Sequence, residues 1–366
     1  MCCEKRQGYL CSYKFLIMKV VAYSINPFEK EFLIRANQKK HDITLISNAL
    51  SVETAAYAKG KDAVLVFTND DVSENVIDKL AGMGVKFIAT RSKGTDHINK
   101  KAAEKRGIKL ANVPTYSPQA IAEHTVALAL ALGRHLIKAN ERTHDFDFRL
   151  NDLIGFNFNG KTVGIIGLGE VGLATANIFR GLGCKVIGHD ILLPKNVIDI
   201  EIVELGELCR QADIISLHLP VTEQTHHIVN KDTIRLMKPN VMLLNTSRGG
   251  LIDTKEVLNA LENGKIGYLG LDVYEFEQGL FFEDHEHDKH KDALLKKLIA
   301  YPNVLVTPHQ AFLTREALQQ IANQTIKNLD LWQEEKCVGD ACACDKDCGT
   351  KAVIKPTIQD NFNHLP

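Results

Sequence analysis

The chain has 366 residues, 45% hydrophobic and 24% charged, with a formal net charge of −1. That length exceeds what one hydrophobic core usually holds, so two domains are expected. The even charge excludes a phosphate-backbone binder, and no apolar run approaches a membrane-spanning helix, so neither nucleic acid nor membrane is expected as a partner. Nine cysteines sit mostly at the ends: Cys2, Cys3, Cys11, Cys337, Cys342, Cys344 and Cys348, with Cys184 and Cys209 in the body. No disulfide framework spans the core, which fits a reducing, cytoplasmic setting. Residues 1–17 carry Glu4, Lys5, Arg6 and Lys14 without a long apolar stretch, unlike a secretory signal, and read as an extension.

In chain order, strand-like runs fall at 19–24, 43–47, 63–68, 86–90 and 109–113, separated by amphipathic segments such as 74–83 and 99–106. Asn26-Pro27 is a helix start, cap followed by first-turn proline. This alternation predicts a parallel sheet covered on both faces. Ser117-Pro118 opens a helix expected to run unbroken from Gln119 to about Asn140. Its middle is apolar nearly all round, which predicts a helix buried between domains. A second series follows, with strands at 162–166, 185–189, 213–219, 241–245, 267–273 and 303–307. Six such strands suffice for a doubly wound dinucleotide domain. A last helix, 314 to about 333, is expected to return to the first domain. Periodicity then ceases, and 337–366 reads as a flexible tail.

The expected fold is therefore α/β, with two Rossmann-like doubly wound parallel-sheet domains and a cleft between them. A discontinuous substrate domain comprises 18–115 and 313–336, a dinucleotide-binding Rossmann domain 116–312, and 1–17 and 337–366 are terminal extensions.

Gly167-Leu168-Gly169-Glu170-Val171-Gly172 follows an apolar strand and opens a helix. The first glycine permits the tight turn, the second lets a pyrophosphate approach the backbone, and the third lets helix and strand pack closely. Asp190 ends the next strand, where a carboxylate accepts bonds from the adenosine ribose and repels a 2′-phosphate. No arginine follows it in Ile191–Pro194, so NAD is expected over NADP.

Three later segments each follow a strand. Arg248 in Asn245-Thr246-Ser247-Arg248-Gly249-Gly250 offers a planar fork to a carboxylate. Asp272-Val273-Tyr274-Glu275-Phe276-Glu277 supplies acids, and Thr307-Pro308-His309 a histidine fit to exchange a proton. Spacing alone leaves open whether Glu277 and His309 meet, and His309 is one of fourteen histidines.

In their order these motifs resemble the D-isomer-specific 2-hydroxyacid dehydrogenase family over about residues 18–335. The stretches Val113–His124, Leu280–Asp284 and His309–Thr314 are similar to its bacterial fermentative D-lactate branch. The resemblance implies that Arg248 clamps the substrate carboxylate and polarises its 2-oxo group. It implies that His309 donates the proton and that Glu277 holds His309 and favours its charged form. Amides near Lys93 and Gly94 would bind the carboxylate from the other domain. Tyr116 would add a hydrogen bond, and Phe312, with Phe67, would limit the side-chain pocket. His218 and Pro220 would lie beside the nicotinamide. Gly167, Gly169, Glu170, Val171, Gly172, Asp190, Thr246 and Asp272 complete the assigned cofactor set, while His124 reads as structural.

The expected reaction is NADH-dependent interconversion of pyruvate and D-lactate by a homo-oligomer. The alternatives are a sister enzyme for glyoxylate, hydroxypyruvate or phenylpyruvate, and an NAD-sensing co-repressor of the same fold. Gln278-Gly279 follows Glu277 where many members carry proline; the lactate branch departs from proline there too. Glu283–His290 and Cys342–Cys348 invite metal readings. The first reads better as a solvated loop, and the second lacks paired Cys-x-x-Cys knuckles. No metal is expected.

Overall fold

The computed structural model describes residues 17–192, 199–288 and 291–344. They form two compact units: the described residues up to Pro114 together with those from Gln319 onward, and Thr115–Leu318. No single helix among the described residues is long and apolar enough to cross a membrane.

The first unit alternates β1 (Lys19–Ala22), α1 (Pro27–Asn37), β2 (Asp42–Leu45), β3 (Ala63–Val66), α2 (Glu74–Gly82), β4 (Phe87–Thr90), α3 (Lys100–Lys105) and β5 (Lys109–Ala111). All strand pairs are parallel, in the order β2-β1-β3-β4-β5. This is the flavodoxin-like winding, whose strand order reverses between β1 and β3. Strands covered on both faces must be apolar throughout, and β3 (Ala-Val-Leu-Val) is fully buried. The strands are shorter than the apolar runs because Tyr23–Ser24, Phe67–Thr68 and Asn112–Val113 leave the ladder to build the loops at its carboxyl edge.

The second unit begins with α4 (Pro118–Gly133) and α5 (Leu136–His144). Here the expected single helix is broken. The two parts meet at 63°, because His135 takes a left-handed backbone with φ 50°. Apolar spacing continues through Leu136 and Ile137 and hides the break. Val126, Leu128, Ala129 and Leu132 of α4 pack into this unit's own core, with Val163, Ile165 and Phe179.

The rest of the unit is β6 (Thr162–Ile166), α6 (Glu170–Gly181), β7 (Lys185–His189), β8 (Glu201–Ile202), α7 (Leu205–Gln211), β9 (Ile214–Leu217), α8 (Lys231–Leu236), β10 (Val241–Asn245), α9 (Thr254–Glu262), β11 (Ile266–Leu271), α10 (Ala293–Ile299) and β12 (Val304–Val306). The sheet has seven strands rather than six, ordered β12-β11-β10-β9-β6-β7-β8. The added β8 has two residues, both exposed, and leaves no apolar signature. From β8 to β11 the order is the dinucleotide-binding winding, reversing between β6 and β9.

The last helix, α11 (Arg315–Gln333), carries Ile326, Leu329 and Trp332 into the core of the first unit. Trp332 stacks on Phe87 with centroids 4.7 Å apart. The segment after it corrects the tail reading up to Cys344. Residues 339–341 form a 3₁₀ turn, and Cys342 bridges Ala111 antiparallel to β5. Backbone pairing at a sheet edge needs no side-chain periodicity, so hydrophobic patterning holds no sign of it. Residues 1–16 and 345–366 lie outside the described chain.

Candidate active site

Every motif in the second unit follows a strand of one parallel sheet, so all of them emerge along its carboxyl edge. Sheet order then lines them up: His309 after β12, Asp272 and Glu277 after β11, Thr246 and Arg248 after β10, His218 after β9, Gly167 after β6 and Asp190 after β7. Ligands of such sheets bind at this edge, around the point where the winding reverses.

The glycine turn fits a dinucleotide. Gly167 has φ 97°, and a Cβ there would lie 2.4 Å from the His218 carbonyl oxygen. A Cβ on Gly172 would lie 1.9 Å from the Gly167 oxygen, so only glycine lets α6 begin against the turn. Gly169, by contrast, has nothing within 4 Å of where its Cβ would stand, leaving open space at the N-cap of α6. Close packing behind and room in front is what a pyrophosphate requires at a helix start. Asp190 accepts the Leu168 amide at 2.6 Å and the Leu192 amide at 2.9 Å. It therefore braces the glycine turn and keeps lone pairs for ribose hydroxyls.

Arg248 sits on a tied loop. Asn245, fully buried, donates from Nδ2 to the Arg248 oxygen at 2.7 Å and accepts the Ser247 amide at 3.1 Å. Ser247 Oγ donates to the Leu217 oxygen at 2.7 Å. A Cβ on Gly249 would lie 2.1 Å from the Tyr274 carbonyl, so glycine lets the Arg248 loop lie against the Glu275–Glu277 loop. Arg248 Nη1 donates to the Ser247 oxygen at 2.8 Å. Its charge also acts on Tyr116, whose phenol burial pushes above its ordinary value while Arg248 pulls the other way. Tyr116 meets Phe312 edge to face at 6.3 Å.

His309 and Glu277 do meet. His309 Nδ1 lies 2.9 Å from Glu277 Oε1, and Glu277 Oε2 accepts the Tyr274 amide at 2.9 Å. An ionised carboxylate only accepts, so Nδ1 carries the proton of this bond and Nε2 is left for chemistry. His309 has φ 54°, a left-handed backbone held by its amide on the Asp272 oxygen at 2.8 Å.

Asp272 turns out to be a brace. Fully buried, it accepts the Gln310 and Ala311 amides at 2.8 Å each and the Thr307 hydroxyl at 2.5 Å. His124 Nε2 lies 3.0 Å from Thr307 Oγ1, which supports its structural reading. The Thr246 hydroxyl is likewise turned onto Thr125, 2.7 Å away. Pro220 is exposed, its oxygen accepting the Thr225 hydroxyl at 2.7 Å.

His218 differs from His309. Its Nε2 pairs with Ser216 Oγ at 2.9 Å, while Nδ1 is buried with no hydrogen bond among the described residues. Burial pushes its imidazole down to about 3, so it stays neutral at physiological pH and has no excess proton to give.

Lys93 and Gly94 belong to the loop after β4 in the first unit, where Asn112 Nδ2 donates to the Lys93 oxygen at 2.9 Å. Phe67 is buried in that unit, with the Arg91 guanidinium 5.5 Å from its ring. In the 283–288 loop, His285 pairs with Asp288 at 2.7 Å. No group of three or more potential metal ligands occurs among the described residues. Lys289, His290 and Asp345–Cys348 lie outside them.

Sequence reading missed three supports: Asn245 as the knot under Arg248, the close approach at Gly249, and a clasp in which His227 Nε2 lies 2.7 Å from Glu275 Oε1. A buried asparagine closing an apolar strand was the available signal for the first. The clasp joins residues 48 apart and has no local signal.

A family model for the D-isomer specific 2-hydroxyacid dehydrogenase NAD binding domain matches residues 126–311. The chain belongs to the D-isomer specific 2-hydroxyacid dehydrogenases. A D-lactate dehydrogenase, kk1H of Curvularia clavata, is 44% identical over 324 residues, covering 86% of this chain and 92% of that protein. The structure described as the pyruvate reductase of Chlamydomonas reinhardtii matches with a TM-score of 0.84 and 42% identity, over 88% of this chain and 98% of that one. D-lactate dehydrogenase from Aquifex aeolicus, complexed with NAD and lactic acid, matches with a TM-score of 0.78 and 31% identity, over 86% and 96%. This 2-hydroxyacid dehydrogenase is thus an NAD-dependent oxidoreductase.

Proposed function

We propose that this 2-hydroxyacid dehydrogenase reduces pyruvate to D-lactate with NADH, and runs the reverse reaction, with His309 as proton donor. The observation that carries the assignment is the Glu277–His309 pair at 2.9 Å, on the loops after β11 and β12, next along the sheet edge to the Arg248 loop after β10. Reduction adds a hydride to the 2-oxo carbon and a proton to its oxygen. The dinucleotide held at Gly167–Gly172 and Asp190 supplies the hydride when bound.

The chain's own residues do the rest. Arg248 pairs with the substrate carboxylate through two parallel N–H bonds and lies beside the 2-oxo oxygen as it gains charge. His309 Nε2 delivers the proton there, while Glu277 keeps the ring's other nitrogen occupied and its plane fixed. Tyr116 and Phe312 stand on the Arg248 side and bound the substrate's methyl group. Lys93 and Gly94 of the first unit, read as the substrate domain, offer backbone amides to the carboxylate. The names of the Curvularia, Chlamydomonas and Aquifex proteins support pyruvate and D-lactate over a bulkier pair.

The test is a panel of 2-oxo acids with NADH and NADPH. Pyruvate with NADH gives the highest kcat/KM, and NADPH is used far less well because Asp190 repels its 2′-phosphate. A higher value for glyoxylate, hydroxypyruvate or phenylpyruvate sinks the substrate assignment.

A homo-oligomer is part of the same reading. Leu136 and Ile137 of α5 are half exposed, and Phe146, Phe148, Leu150 and Ile154 beyond it are 68–88% exposed. So much apolar surface in one stretch suits a second copy of the chain. Light scattering should return at least twice the 40.7 kDa chain mass; a monomer at micromolar concentration rejects it.

A further inference from the structure

Residues 337–344 are built into the first unit. Asn112 donates its amide to the Ala341 oxygen at 2.9 Å, and Ala343 donates to the Leu110 oxygen at 3.1 Å. The Leu110 amide lies 3.4 Å from Cys344 Sγ. Val338, Ala341 and Ala343 are buried, at 7%, 2% and 7% exposure. The segment is a strap along β5, the outermost strand of the five. An uncovered edge there would expose a row of backbone groups.

The strap and α11 between them hold one residue. Asn112 gives its amide to Ala341, and its carbonyl accepts Asn328 Nδ2 of α11 at 3.0 Å. Asn328 is fully buried and itself fixed by Gln324 at 2.8 Å. With its backbone held at both ends, Asn112 directs Nδ2 onto the Lys93 oxygen at 2.9 Å. The neighbouring carbonyls are also engaged. The Ser92 oxygen accepts the Val113 amide at 3.0 Å, and the Gly94 oxygen accepts Ser92 Oγ at 2.8 Å. Three successive carbonyls thus bond back into the unit. That fixes the peptide planes on which the amides of the loop depend.

We infer that the strap is a positioning element for substrate: acting through Asn112, it sets the Ser92–Gly94 loop that receives the carboxylate. This rests on the proposed carboxylate role of Lys93 and Gly94. Asn112 is a positioning residue, tied to the loop and not to the substrate. Loosening the strap therefore weakens capture of the 2-oxo acid and spares NADH binding.

The experiment compares the full-length enzyme with Asn112→Asp, Ala343→Pro, their double variant and Lys93→Pro. It reads kcat, KM for pyruvate, Kd for NADH and thermal unfolding. Asn112→Asp keeps the shape and loses the donor to the Lys93 oxygen; Ala343→Pro loses the strap's bond to Leu110. Each should raise KM about five- to tenfold, the worth of one hydrogen bond, with kcat and NADH Kd within about twofold. The double variant should fall short of the product of the singles, because both act through one link. Unchanged KM in both singles, or equal losses in KM, NADH binding and stability, overturns the inference. Lys93→Pro separates it from the carboxylate role beneath: a raised KM there with flat Asn112→Asp and Ala343→Pro sinks the strap alone. An unchanged KM in Lys93→Pro sinks the carboxylate loop and the strap with it. Should that variant fail to fold, Ser92→Ala, which frees the Gly94 oxygen, takes its place.

Discussion

Replacing His309 with glutamine lowers kcat for pyruvate reduction by about 10²–10⁴-fold, the usual worth of a positioned acid or base, and leaves NADH affinity within about twofold. Glutamine keeps the size and a donor but cannot pass on a proton. The pyrophosphate turn proposed at Gly167–Gly172, after β6, is separated from β12 by β9, β10 and β11, so cofactor binding should survive. Stopped-flow absorbance and NADH fluorescence titration measure the two quantities. Equal losses in both would show that His309 acts by holding its loop. His218 cannot stand in for it: burial pushes its imidazole down to about 3, so that ring holds no excess proton at neutral pH.

Arg248→Ala should cost about a thousandfold in kcat/KM for pyruvate. On the proposed role the substitution removes two charge-assisted hydrogen bonds to the substrate carboxylate, each contributing about 1.5–3 kcal/mol. Arg248→Lys keeps the charge and loses the fork. It should recover only part of the loss, about one or two decades, because an ammonium cannot meet both carboxylate oxygens in plane. Steady-state kinetics on both variants decide. A lysine variant as active as the wild type would mean that Arg248 supplies charge alone. The loop should survive either change, since the Asn245 amide, the Ser247 hydroxyl and the close approach at Gly249 still hold it when the guanidinium's bond to the Ser247 oxygen is lost.

The glycine turn was legible in the sequence because its demands are local. A buried strand, three glycines and a helix lie within one short stretch, and Gly167 and Gly172 answer to contacts only a few residues or one strand away. Arg248, Glu277 and His309 were legible as candidates because each follows an apolar run, and strand ends are where such sheets place their chemistry. The meeting of Glu277 and His309 was not. It depends on β11 and β12 lying side by side, and strand order is set by long-range packing that no local pattern records.

Other features were hidden for different reasons. The turn at His135 interrupts the helix without interrupting apolar spacing, so periodicity carries across it. Asp272 reads as a site acid, but its carboxylate is committed to Thr307 and to two backbone amides of the His309 loop. Such a commitment appears only once β11 and β12 are paired. The strap at 337–344 joins β5 by main-chain bonds, to which side-chain patterns are blind. Nothing local marks why Gly249 must be glycine; the need is a 2.1 Å approach to the Tyr274 backbone, on the loop after β11.

The handedness of the product tests the central claim most directly. Purified enzyme, pyruvate and NADH are allowed to react to completion, and the lactate is resolved on a chiral column. D-lactate alone is predicted, in one-to-one yield with the NADH consumed. L-lactate, a racemate, or no oxidation of NADH would contradict it.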